Sequence, residues 1–230
     1  IKAMYPLSNF LRLEIVPFFA RTEFSDLDYR VLNNTPPPFL YYNKTNYTGY
    51  TSNIIYDNST KIGMNLEEGT KLKISYNTYF SLNNDLKDFN NLVVDLIHHQ
   101  KISNHIILSS RVFYGGSFGD SPNKYILGGV QNSLFSSTNE DIPNNPLAIS
   151  SGVDNSKILF SKFVDLRGYN FNKFNGEKVL LLSSELRIPL VKALFNNEVS
   201  SEFLNNFQLI GFFDLGSSWD ENSPFSSQSD

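Results

Sequence analysis

The chain of 230 residues has a formal net charge of -4, with charged residues at 18%, aromatics at 14% and hydrophobic residues at 40%. The acidic balance and the lack of any Lys/Arg-rich cluster exclude nucleic acid and other polyanions as partners. Zero Cys removes disulfides, thiolate metal sites and cysteine nucleophiles, while a mean hydropathy of -0.25 and the lack of any apolar run of about 18 residues exclude a transmembrane helix.

One texture repeats along the chain: runs of about 10 to 14 residues alternating apolar and polar, parted by stretches rich in Asn, Ser, Gly and Asp. The chain opens at Ile1 without a charged leader and closes on Ser226–Asp230, which reads as an internal fragment of a longer protein. In the first run Leu11, Leu13 and Ile15 oppose Arg12 and Glu14. A further strand is expected at 26–33, followed by Thr35-Pro36-Pro37-Pro38, a stiff extended segment suited to a loop. The triplets Asn43-Lys44-Thr45, Asn46-Tyr47-Thr48 and Asn58-Ser59-Thr60 match the glycosylation acceptor pattern, which arises by chance in an Asn-rich chain. The clearest run is 70–82: Leu72, Ile74, Tyr76, Phe80 and Leu82 share one face, and Lys71, Lys73, Ser75, Asn77 and Ser81 the other. Leu92, Val94 and Leu96 then oppose Asn91 and Asp95, and Ile106, Leu108, Val112 and Tyr114 oppose His105, Ser109 and Arg111. Runs at 178–188 and 207–219 close the series, about seven strands in all with 26–33 as an eighth.

Alternation alone leaves a soluble β-sandwich open. The length of the runs, and the Lys, Arg, Asp and Glu within their polar faces, favour an antiparallel transmembrane β-barrel with a wet lumen. The connections add to this: a tight turn around Ser103-Asn104 contrasts with the long stretch 119–176, and short turns at one end with long loops at the other mark outer-membrane barrels. Eight strands would close around side chains only, so a lumen that holds a folded-back loop needs more strands than this chain supplies.

Three segments are specific. Leu166-Arg167-Gly168-Tyr169 lies in the long connection, Ser184-Glu185-Leu186-Arg187-Ile188-Pro189 on one strand, and Phe212-Phe213-Asp214-Leu215-Gly216-Ser217-Ser218-Trp219 on the next. In kind, order and spacing they resemble the C-terminal half of the bacterial surface-antigen barrel family, which includes BamA-type and TamA-type assembly factors and FhaC-type secretion transporters. Ile55-Tyr56-Asp57-Asn58, Glu68-Gly69-Thr70 and Tyr125-Ile126-Leu127-Gly128-Gly129-Val130 extend the similarity, which covers most of 50–220. Asn65–Lys71 with His98-His99-Gln100-Lys101 is most similar to the branch with an N-terminal TolB-like β-propeller. The resemblance implies that 1–230 is one partial domain of a sixteen-stranded outer-membrane barrel, with an inward-folded loop at 119–176. The N-terminal periplasmic module and the last strands would lie outside this sequence.

The chemistry of these segments can also be argued from the residues. Arg167 on a loop inside a barrel would be a desolvated cation, tolerable only if paired. Alternation turns Glu185 and Asp214 inward, and the planar Arg fork bridges two carboxylates on adjacent strands as Lys could not. Gly168 would permit a tight turn and Tyr169 would pack on the inner wall. Arg167, Gly168, Tyr169, Glu185 and Asp214 therefore form the expected structural latch, with the alternative that Arg167 is a solvated loop residue.

No catalytic, cofactor or metal site emerges. Gly115-Gly116-Ser117-Phe118-Gly119 matches a nucleophile elbow, but that motif needs a following helix and a later His, and all three His precede Ser117. His98 and His99 point to opposite strand faces and cannot share a metal; His99 could face the lumen with Asp95, and the reading preferred for it is satisfied polar lining. The resemblance thus implies a non-enzymatic outer-membrane barrel whose partners are the lipid bilayer and other envelope proteins, in protein assembly or secretion. The alternative is an anchoring barrel that holds a periplasmic propeller without moving any substrate.

Overall fold

An extended chain that alternates apolar and polar residues acquires two unlike faces, and neighbouring chains of the same kind pair face to like face. The computed structural model describes residues 2–26, 41–63, 66–83, 87–103, 106–129, 161–169, 173–191, 201 and 207–221. Among them the fold is all-β: β1 (Ala3–Pro6), β2 (Leu11–Asp26), β3 (Tyr41–Asp57), β4 (Thr60–Gly63), β5 (Leu66–Ser81), β6 (Phe89–Ser103), β7 (Ile106–Gly119), β8 (Tyr125–Gly128), β9 (Phe163–Asp165), β10 (Phe174–Gly176), β11 (Lys178–Pro189) and β12 (Gln208–Trp219).

Eight of these form one antiparallel path, β1-β2-β3-β5-β6-β7-β11-β12, with β4 folded onto the start of β5. Among the described residues β1 and β12 do not pair with each other, so the sheet is open. The runs read from alternation correspond to β2, β5, β6, β7, β11 and β12. Most of 26–33, the Pro-rich 35–38 and the polar stretches 136–139 and 143–146 lie outside the described residues. Within the eight-strand path two strands do not follow from alternation. β1 is only four residues long, and β3 begins with the Asn-Thr-Tyr stretch that holds two of the acceptor triplets.

The register gives each face its character. Tyr56, Leu72, Leu96, Val112, Leu182 and Leu215 are successive cross-strand partners on one face. On the other face the charged and amide side chains recur, with Glu14 opposite Asn53, Asn77 opposite Asn91, and Arg111 opposite Ser183.

The connection from β7 to β11 is not a plain loop. It carries a three-stranded sheet, β10-β8-β9, in which β8 and β9 run parallel. Tyr125, Leu127, Val164 and Leu166 of this plug join Val93, Phe113, Val179 and Leu181 of the wall in one apolar core. Gly115 makes room for it: a Cβ there would lie 2.5 Å from the Tyr125 ring. The plug therefore covers part of the polar face through a small apolar core shared with the wall, and its tip carries a charge toward β11 and β12.

Candidate functional site

The tip is a turn held by backbone before any charge is considered. Leu166 N–H donates to the Gly128 carbonyl at 2.9 Å and Gly129 N–H to the Tyr169 carbonyl at 3.1 Å, which pins the turn to the end of β8. Gly168 sits at φ 86°, in the left-handed region. With Leu166 buried in the plug core, the next side chain, Arg167, emerges toward β11 and β12.

Arg167 meets both carboxylates. Its Nε donates to Asp214 Oδ2 and its Nη2 to Asp214 Oδ1, each at 2.6 Å, a two-pronged match of fork to carboxylate. Nη1 reaches Glu185 Oε1 at 2.6 Å, Nη2 also reaches Ser183 Oγ at 3.0 Å, and the Arg167 backbone N–H donates to Asp214 Oδ2 at 3.3 Å. The guanidinium lies over the Phe212 ring, 4.1 Å from its centre. The bonds to Asp214 raise the Arg167 pKa further, outweighing the opposing effect of burial, so the cation stays charged at any working pH.

Two further wall residues complete the arrangement. Glu185 turns its other oxygen to Arg187, whose Nη2 and Nε lie 2.6 and 3.1 Å away. The Ser183 hydroxyl donates to Asp214 Oδ1. Two guanidinium groups and two carboxylates thus form a formally neutral set, which is what makes it tolerable away from bulk water. Alternation turns Arg187 inward together with Glu185. Ser183 lies directly opposite Asp214 in the register, which no single-strand pattern reveals.

Tyr169 departs from the expectation that it packs on the inner wall: it is 49% exposed, and its ring meets Phe174 of β10 edge-on at 5.7 Å. Once Gly168 reverses the chain, the next side chain is carried away from the wall and back toward the plug's own returning strand.

Beside the latch lies a cleft of about 270 Å³, lined by Ile97, His99, Ser109, Arg111 and Asp165 as well as latch residues. His99 does not meet Asp95; its Nε2 lies 3.4 Å from Glu67 Oε2. Asp95 instead takes Arg111 through both oxygens, at 2.8 and 2.9 Å. The arrangement can bind one part of the chain firmly to another.

Gly168 tests how far the turn governs the latch. A Cβ at Gly168 would meet no atom within 4 Å, so a substitution strains the backbone alone. Gly168→Ala should destabilise by about 1 to 2 kcal/mol, with Gly168→Asn milder because Asn visits the left-handed region more readily; denaturant midpoints of the two variants measure this.

No protein-family model matches the chain, and no curated protein matches it either.

Proposed function

We propose that the chain is part of the wall of a bacterial outer-membrane β-barrel with an inward-folded loop, and that this barrel serves protein assembly or translocation within an envelope complex. The observation that carries the membrane reading is the inversion of its surfaces. Leu13, Ile15, Phe19, Tyr76, Leu182 and Leu215 are exposed, Phe213 by 68%, while Glu14, Asn53, Asn77, Asn91, His99 and Ser117 are buried. Water-soluble folds dress themselves the other way, and contiguous apolar patches of this extent mark contact with another apolar phase. Strand length agrees. β5 and β6, at 16 and 15 residues, extend about 50 Å at roughly 3.3 Å per residue, enough to cross an apolar band about 25 Å tall with a tilt and project beyond it.

The role in assembly or secretion draws on the resemblance, supported by the meeting of its three motif segments: Arg167 from the first touches Glu185 of the second and Asp214 of the third. The role is non-catalytic.

Ile74 and Ser75 are adjacent on β5 and point to opposite faces. Ile74→Arg should cost about 2 to 4 kcal/mol on folding into bilayers, and Ser75→Arg much less, since only the former places a cation in the lipid. Equal tolerance of the two would remove the barrel reading. For assembly, liposomes carrying the protein should speed the folding of a small outer-membrane barrel over empty liposomes; no acceleration would leave only the anchoring role.

A further inference from the structure

A second polar cluster joins the plug to the wall at its root, where β7 ends and β11 begins. Ser117 of the Gly-x-Ser-x-Gly stretch is only 1% exposed. Its Oγ accepts the Asn123 backbone N–H at 2.8 Å, and its own N–H donates to the Glu177 carbonyl at 2.8 Å. Asn123, 5% exposed, receives at Oδ1 the Ser161 hydroxyl at 3.2 Å and the Lys124 N–H at 2.9 Å. Asp220, just past β12, accepts the Glu177 N–H at 3.0 Å and Lys124 Nζ at 3.2 Å. The chain thus leads into the plug strands at 123–124 and again at 161, leaves them at 177, and all three places are gathered against β7 and β12.

We infer that Asn123 and Asp220 are positioning residues that set the depth at which Arg167 meets Asp214. Ser161 to Arg167 is a step of six residues (167 − 161), and Glu177 to Ser183, the partner of Asp214, is also six (183 − 177). At about 3.3 Å per residue, each arm descends roughly 20 Å from the root. Loop and wall are therefore commensurate, and Arg167 arrives level with Asp214 only while their upper ends stay aligned. A slip of one residue moves the guanidinium by about 3.3 Å and turns its side chain to the opposite side, out of hydrogen-bond reach. Asn123 prevents that slip for the descending arm, because its side-chain oxygen holds Ser161 at the root of β9 to a backbone that Ser117 anchors. Asp220 prevents it between the two arms, because it holds both the start of β11 at Glu177 and the root of β8 at Lys124 to the end of β12. The inference rests on the latch geometry alone, so it stands or fails separately from the membrane reading, which the Ile74 and Ser75 variants test.

The experiment is a double-mutant cycle of Arg167→Ala with Asp214→Asn, read by denaturant unfolding of the full chain, in the native background and in Asn123→Ala and Asp220→Ala. The native cycle should show a coupling of about tenfold in the unfolding equilibrium, and in each root variant it should fall below about twofold although both latch residues are intact. Lower stability with undiminished coupling in both backgrounds would make the cluster merely structural and overturn the inference. Should Asn123→Ala fail to fold, Asp220→Ala decides together with one Gly inserted after Lys162, which removes no cluster side chain. An insertion that preserved the coupling would overturn the inference equally.

Discussion

Arg167→Ala should destabilise the fold by about 3 to 5 kcal/mol, more than any replacement of its carboxylate partners. The asymmetry follows from what each deletion leaves behind. Asp214 has a side chain only 3% exposed; after Arg167→Ala it keeps only uncharged donors, the Ser183 hydroxyl and the backbone N–H of residue 167, and a buried carboxylate without a counter-ion is costly. Glu185→Gln is the mild case, at about 1 kcal/mol, because Arg167 retains its fork on Asp214 and the amide oxygen can still accept a hydrogen bond. Asp214→Asn falls between, since Arg167 keeps Glu185 but must share it with Arg187. The heat needed to shift the band in a semi-native gel ranks the three variants. A ranking with Glu185→Gln worst would mean that Arg187, and not Arg167, is the essential partner of that carboxylate.

Leu127→Ala should cost about 2 to 5 kcal/mol through the cavity it leaves. Leu127 is fully buried, on β8, in the core shared with Val179 and Leu181 of the wall and Val164 and Leu166 of the plug. The site is flanked by β-strands on both sides, so little can collapse into the space. The effect should appear as faster protease cutting within the plug, at denaturant concentrations that leave the native chain intact. Exposed Phe213 serves as the control: Phe213→Ala removes a larger side chain, yet it should leave the plug's resistance unchanged.

The sequence is legible where one physical period governs. In β5 alternation sorts most side chains to their face, and in β6 it separates Asn91 and Asp95 from Leu92, Val94 and Leu96, because each strand has one chiefly wet and one greasy side. The Arg167 contacts are foreseeable for a similar reason: Glu185 and Asp214 sit on known faces, and a buried guanidinium has few ways to be satisfied. Alternation fails in β3, where Tyr, Asn, Thr and Gly lie on both faces and neighbouring strands decide the pairing. It fails again in β8, β9 and β10, which are too short to show a period and are extended only because the wall behind them is. Arg187 is readable as an inward residue, but its hold on Glu185 depends on Arg167 occupying only one of the two oxygens, which no strand pattern discloses. Asn123 and Asp220 read as ordinary loop polars, since their partners at Ser161 and Glu177 come close only in the folded chain.

The shared core of plug and wall also bears on the order in which the chain can be completed. Val93 and Phe113, on β6 and β7, find their apolar partners in residues that come later in the chain: Tyr125, Val164, Val179 and Leu181. The β5-β6-β7 meander can form from near neighbours, whereas the β7–β11 ladder must first close roughly 60 residues of chain, at an entropic cost of about 3.5 kcal/mol. Until that closure, the meander bears Val94, Val112 and Tyr114 on one side and leaves Val93 and Phe113 uncovered on the other, where they interrupt a face otherwise lined by Ser75, Asp95 and Arg111. Such a half-made sheet is a sticky species, and slow non-local closure prolongs its life. A growing chain that pauses after β7 is therefore at its most vulnerable to aggregation, and it needs either rapid arrival of the plug and β11 or a partner that shields both surfaces meanwhile.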